Sequence, residues 1–98
     1  MPHRLIVRKR AQSDLEAACA WYEEQEPGLG LQFLDEVDAA LKAIREHPEL
    51  FAVLQGTVRR SILNRFPFGI HYVHRGDTIS VLAVVHVARH PSTWPRRD

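Results

Sequence analysis

The chain has 98 residues, 45% of them hydrophobic, and a formal net charge of +1; this suits one modest core, because two domains of half the length would be too small to fold unaided. One cysteine, Cys19, excludes an internal disulfide and points to a reducing, intracellular compartment. The small net charge does not advertise a general nucleic-acid binder and conceals segregation: residues 1–10 carry +4, residues 11–48 carry −7 and residues 49–98 carry +4, so an acidic face and a basic face are expected, the basic one suited to an acidic partner or nucleic acid.

His3 to Arg8 encloses the apolar triplet Leu5-Ile6-Val7 and predicts a first strand. The triplet is far shorter than the roughly 7 to 15 apolar residues of a secretory signal. The longest apolar run, Val81 to Val85, is far below the about 20 residues of a spanning helix. A soluble, cytoplasmic protein without a membrane partner is expected.

From Ala11 to Gln25 the period changes: Ala11, Leu15, Ala18 and Tyr22 recur at helical spacing with acids at other angles. Ser13 and Glu16 match a capping box, although Ala11 already belongs to the stripe and an earlier start is compatible with the pattern. Cys19 sits among alanines at what reads as a buried helical position. Pro27-Gly28-Leu29-Gly30 breaks the helix. A second stripe follows in Leu34, Val37, Leu41 and Ile44, ending at His47-Pro48, and the short connection predicts an antiparallel helical hairpin.

The second half is strand-like: Val58 to Leu63, Gly69 to His74 and Thr78 to Val87, with a hairpin turn at Gly76-Asp77. Thr78 to Val87 is apolar on both faces, as a central strand would be. The expected fold is α+β, residues 1–98 forming a single domain: an N-terminal strand, the helical hairpin, then a three-stranded antiparallel meander, with the helices packed on one face of the sheet.

Three arginines and a histidine fall in the stretch RRSILNRFPFGIHY at 59–72. Arg59 and Arg60 are adjacent on a predicted strand and must point to opposite faces. Arg65, in the following loop, and Arg89, after the last strand, converge with one of them if the meander brings its ends together. A guanidinium fork suits a phosphate or a carboxylate equally, and a solvated sheet surface is the plain alternative for each. Six histidines offer proton transfer, but none has metal-motif spacing with cysteine or carboxylate partners, so neither a metal nor another cofactor is expected. No phosphate-binding glycine loop or nucleophile elbow is present. Glu23, Glu24 and Glu26 read as a solvated helix edge, and Trp21 and Tyr22 as core or rim packing.

Over nearly its whole length the chain resembles the RelE/ParE superfamily of bacterial type II toxin-antitoxin toxins, in the ParE-like or plasmid-stabilisation branch. The residues carrying the likeness are A-x-x-D-L at 11–15, W-Y-E-E-Q at 21–25, P-G-L-G-x-x-F-L-x-E-V at 27–37, V-R-R-x-x-L-x-R-F-P-F-G-I at 58–70 and V-L-A-V-x-H-x-x-R-x-P-x-x-W at 81–94. The resemblance implies two helices on an antiparallel sheet and a cognate antitoxin, whose extended segment folds onto the toxin in a hetero-oligomer. It implies growth arrest by inhibition of DNA gyrase, without catalysis, with Arg59, Arg60, Arg65, His86, Arg89 and Trp94 as partner-binding residues. The alternative it implies is a RelE-type ribosome-dependent nuclease cutting mRNA through Arg60, Arg65, His71, Arg89 and His90. Members of this branch often carry tyrosine where this chain has Phe68 and His71, so His71 replaces a phenol only if it shares a face with Arg60. A non-toxic binding module is a third reading.

Overall fold

A computed structural model describes residues 3–88. A first strand, β1 (Arg4–Val7), runs into α1 (Lys9–Gln25); α2 (Leu29–Glu46) doubles back; and β2 (Val53–Gln55), β3 (Val58–Ile62), β4 (Phe68–Arg75) and β5 (Thr78–His86) follow. One five-stranded sheet results, in the order β1-β5-β4-β3-β2. β1 lies parallel to β5, whereas β2 to β5 form an antiparallel meander. The meander therefore has four strands rather than the expected three. β2 escapes a reading by period because three residues cannot display alternation.

α1 starts at Lys9, with Arg8 as an extended N-cap residue that makes no side-chain cap. The Ser13–Glu16 pair lies inside the helix, and Gln12 reaches back instead to the Val7 carbonyl, 3.1 Å away. At the other end Glu23 spans the turn. Its carboxylate accepts from the Gly28 and Gly30 amides at 3.0 and 3.1 Å, satisfying donors that the start of α2 would otherwise leave bare. Gly28 holds φ +90° at this turn, a conformation that disfavours any side chain. α2 ends at His47, the amide of which still bonds to Ala43; Pro48 follows, and the Tyr72 hydroxyl donates to its carbonyl at 2.5 Å.

The helices cover one face of the sheet. Ala11 and Ala18 of α1 and Phe33, Val37 and Ile44 of α2 share a buried cluster with Ile70, Tyr72, Ile79, Val81 and Val84. Each large side chain so buried contributes roughly 1.5–3 kcal/mol. Tyr22, Phe33 and Phe66 meet with ring centroids 4.9–5.3 Å apart, and Phe68 lies 5.5 Å from Phe33. This aromatic knot joins the hairpin to the β3–β4 loop. Cys19 is half-buried beside Gly30. β5, with neighbours on both sides, is the interior strand its composition predicts. Among the described residues no helix is long and apolar enough to cross a membrane.

Candidate functional site

The register of β3 with β4 sets the arginines apart. Arg59 lies opposite Tyr72, on the side of the helices, and Arg60 opposite His71, on the far side. Arg59 Nη1 donates to the Phe51 carbonyl at 2.7 Å and to that of Glu49 at 3.4 Å, fastening the segment that leads into β2. Arg60 lays its stem over Gly69, where an added Cβ would stand 2.7 Å from Arg60 Cδ and 2.9 Å from Cγ. The glycine is what lets the arginine lie flat.

His71 thus shares a face with Arg60, yet it is only 1% exposed. Burial, then the nearby Arg60 and Arg10 charges, lower its pKa to about 4, because both penalise the imidazolium. At neutral pH the ring is uncharged. Tyr72 is pushed up to about 12, chiefly by burial; the Arg59 charge opposes this and Glu49 adds to it.

Arg65 is held elsewhere. The Glu36 carboxylate accepts from the Asn64 amide at 2.5 Å and the Arg65 amide at 3.0 Å, and Arg65 Nη2 donates to Gln32 Oε1 at 2.8 Å. Its guanidinium carbon lies 5.5 Å from the Phe66 ring centre. These contacts keep Arg65 against α2, on the other side of the sheet from Arg60 and His71. His86 is on the helix side as well, its ring 5.3 Å from that of Phe68 and its Nδ1 accepting from the Ala88 amide. Arg89, His90 and Trp94 lie outside the described residues.

A groove of about 560 Å³ opens between α1 and the end of β5, lined by Ala17, Trp21, Tyr22, Pro67, Phe68 and His86 among others. It exists because β5 outruns its neighbour: pairing with β1 stops at Val81, while β5 continues to His86. On this overhang the Val84 amide donates to Asp14 Oδ2 at 2.9 Å, and Arg10 approaches the same oxygen at 3.5 Å. Trp21 is 56% exposed at the rim. By period alone Trp21 and Tyr22 read as packing and Asp14 as one of the acids off the apolar stripe of α1, so neither the groove nor the Asp14 contact with β5 is signalled locally. Among the described residues no group of three or more His, Cys, Asp or Glu side chains could hold a metal.

An apolar groove on the helix side, with the arginines divided between the two faces, describes the site's geometry, and the sequence places the chain. A family model for the ParE toxin of the type II toxin-antitoxin system parDE matches residues 5–91. The chain belongs to the ParE toxin family. Among solved structures, this ParE-family chain is similar to one from the chromosomal ParDE toxin-antitoxin system of P. aeruginosa, at 22% identity and a TM-score of 0.77, covering 87% of this chain and 96% of that one. The likeness is one of fold. No curated protein matches the sequence.

Proposed function

We propose that this ParE-family toxin acts in the cytoplasm as a single domain that inhibits DNA gyrase, arresting growth, and that a cognate antitoxin neutralises it in a hetero-oligomer. The observation that carries this reading is the family match over residues 5–91. The geometry supports a non-catalytic mode. Cleaving RNA through the 2′-hydroxyl requires a base, an acid and a cation around one scissile phosphate. Here Arg65 is engaged with Gln32 and Glu36 on the helix side, while His71, with a pKa of about 4, is a weak base and an almost empty proton store at neutral pH. Stabilising a gyrase–DNA complex asks only for a complementary surface. For the antitoxin, the groove beside α1 supplies an apolar seat rimmed by Trp21, the setting in which an amphipathic segment gains most by folding on contact.

Purified toxin mixed with gyrase and plasmid is expected to suppress supercoiling and to trap linear cleavage product. Unchanged supercoiling with no trapped product would remove the gyrase reading. Truncated messages on translating ribosomes would replace it with the nuclease. Expression alone should stop growth and the neighbouring gene should restore it; uninterrupted growth would favour the non-toxic module.

A further inference from the structure

The two helices end differently. The last turn of α2 carries Arg45, whereas that of α1 carries no basic residue, although the C-terminal end of a helix is the negative end of its macrodipole and favours a cation. α1 closes on acids instead: Glu23 and Glu24 in its last turn and Glu26 at the C-cap. Glu23 is committed to the Gly28 and Gly30 amides. Glu24 and Glu26 are exposed and enter no ion pair among the described residues. Acids gathered at the negative end of a dipole are a local conflict, and natural chains tend to keep such conflicts at functional sites.

Trp21 stands beside this end. It precedes Glu24 by three positions, the spacing of neighbours on a helix surface. Its ring meets that of Tyr22 with centroids 5.2 Å apart at 82°, and it is 56% exposed. The same ring rims the groove of about 560 Å³ between α1 and the end of β5. Charge is spread unevenly along that groove. At the Asp14 end, Arg10 lies 3.5 Å from the carboxylate and offsets it. At the Trp21 end, Glu24 and Glu26 stand beside the helix terminus, and Arg65, the cation of the neighbouring loop, is turned to Gln32 on α2.

Apolar walls select an apolar side chain from the partner. The mouth adds a preference of sign. An ammonium or guanidinium is drawn to the face of an indole, the best of the aromatic rings for a cation, and here it also meets two carboxylates and the negative end of a helix. An acidic segment or a phosphate backbone meets repulsion from the same groups.

We propose that the antitoxin segment seated in the groove is cationic: beside its apolar anchor it carries an arginine or lysine that lies over Trp21, between Glu24 and Glu26. This contact rests on the antitoxin reading of the groove and adds to it the charge of the occupant. Glu24 and Glu26 then set specificity, by attracting one class of segment and repelling the other.

Calorimetric titration of the full-length toxin with the product of the neighbouring gene, at 50 and 500 mM salt, tests the contact. Glu24→Gln/Glu26→Gln should melt no lower than the parent, since it removes charge from an unfavourable position. It is expected to bind antitoxin about 10-fold more weakly at 50 mM salt and less than about 3-fold more weakly at 500 mM, where exposed charges are screened. Glu46→Gln is the control and should bind as the parent does, because it lies at the other end of α2, whose 18 residues span about 27 Å. Undiminished or tighter binding by Glu24→Gln/Glu26→Gln would overturn the proposal, as would equal weakening by Glu46→Gln or a weakening that salt does not reduce. Trp21→Ala separates the two levels. If it weakens binding while Glu24→Gln/Glu26→Gln does not, the antitoxin sits in the groove without a cation there, and the inference alone falls. If neither variant weakens binding, the antitoxin sits elsewhere and the reading of the groove falls with it. Loss of gyrase trapping by Glu24→Gln/Glu26→Gln with antitoxin binding intact would assign this end of α1 to the target and likewise overturn the proposal.

Discussion

Protonation of His71 offers a direct probe of the sheet. In the folded chain its pKa lies at about 4, against about 6.5 in an unfolded chain. Between these values the unfolded state binds the extra proton, so stability rises with pH. The contribution is fully present above about pH 6.5 and is lost as pH falls toward 4. A shift of about 2.5 units corresponds to roughly 3 kcal/mol at 1.36 kcal/mol per unit, and to about 2 kcal/mol after solvent screening of the arginine charges is allowed for. A variant lacking the imidazole isolates its share, so the informative quantity is a difference. Urea denaturation of the parent and of His71→Gln, at steps from pH 7 to 4, should show the parent losing about 2 kcal/mol more than the variant. Histidine NMR resonances followed through the same range should show one ring that stays neutral until about pH 4. A His71 resonance titrating near 6.5, or parallel losses in the two proteins, would refute both the burial argument and the case against His71 as a proton donor.

Other expectations rest on single contacts. Tyr72→Phe removes the hydroxyl that donates to the buried Pro48 carbonyl and should cost about 2 kcal/mol; in a chain of this size that lowers the melting temperature by roughly 10 °C, and an unchanged melt would show that another donor serves the carbonyl. Gly30→Ala puts a Cβ 2.8 Å from the Cys19 carbonyl oxygen and 3.0 Å from Cys19 Sγ. Backbone cannot rotate away, so an overpacking cost of about 1–3 kcal/mol outweighs the roughly 1 kcal/mol that alanine gains in a helix, and a melt at or above the parent's would count against this crossing geometry. Trp21→Ala should leave the melt nearly unchanged because the ring is 56% exposed, yet weaken antitoxin binding by about 2 kcal/mol, some 30-fold by calorimetry. Full affinity would move the antitoxin away from this groove.

Much of the architecture can be read from hydropathy period because the burying elements are long. α1, α2 and the strands of the β3–β5 meander each repeat their pattern often enough to declare it, and the packing of both helices on one sheet face follows from their two stripes. β2 could not be seen: Val53-Leu54-Gln55 is too short, and its pairing with β3 is itself irregular between Val53 and Gln55. Nor does local sequence reveal that Glu36, 28 residues upstream of Asn64, captures the 64–65 amides. That contact decides which side Arg65 occupies, and only the tertiary fold contains it. The shared face of Arg60 and His71, by contrast, follows from alternation as soon as the two strands are paired.

The hardest residue to place by alternation is His86, and the reason lies in the middle of β5. Val81 and Val84 both belong to the helix-side core, although they are three positions apart and a regular strand would send them to opposite faces. The register shows how this is done: His71 pairs with Ala83 and Tyr72 with Val81, leaving Leu82 as the extra residue of a bulge. Beyond it the parity of the strand is inverted. Val84 and His86 turn to the groove with Asp14 and Phe68, whereas Ala83 and Val85 are buried on the far side beside His71 and Gly69. Unbroken alternation from Val81 would have set His86 on the face of Arg60 and His71. One inserted residue separates the two surfaces instead, giving the groove its histidine and setting Ala83 and Val85 beside His71 on the opposite face.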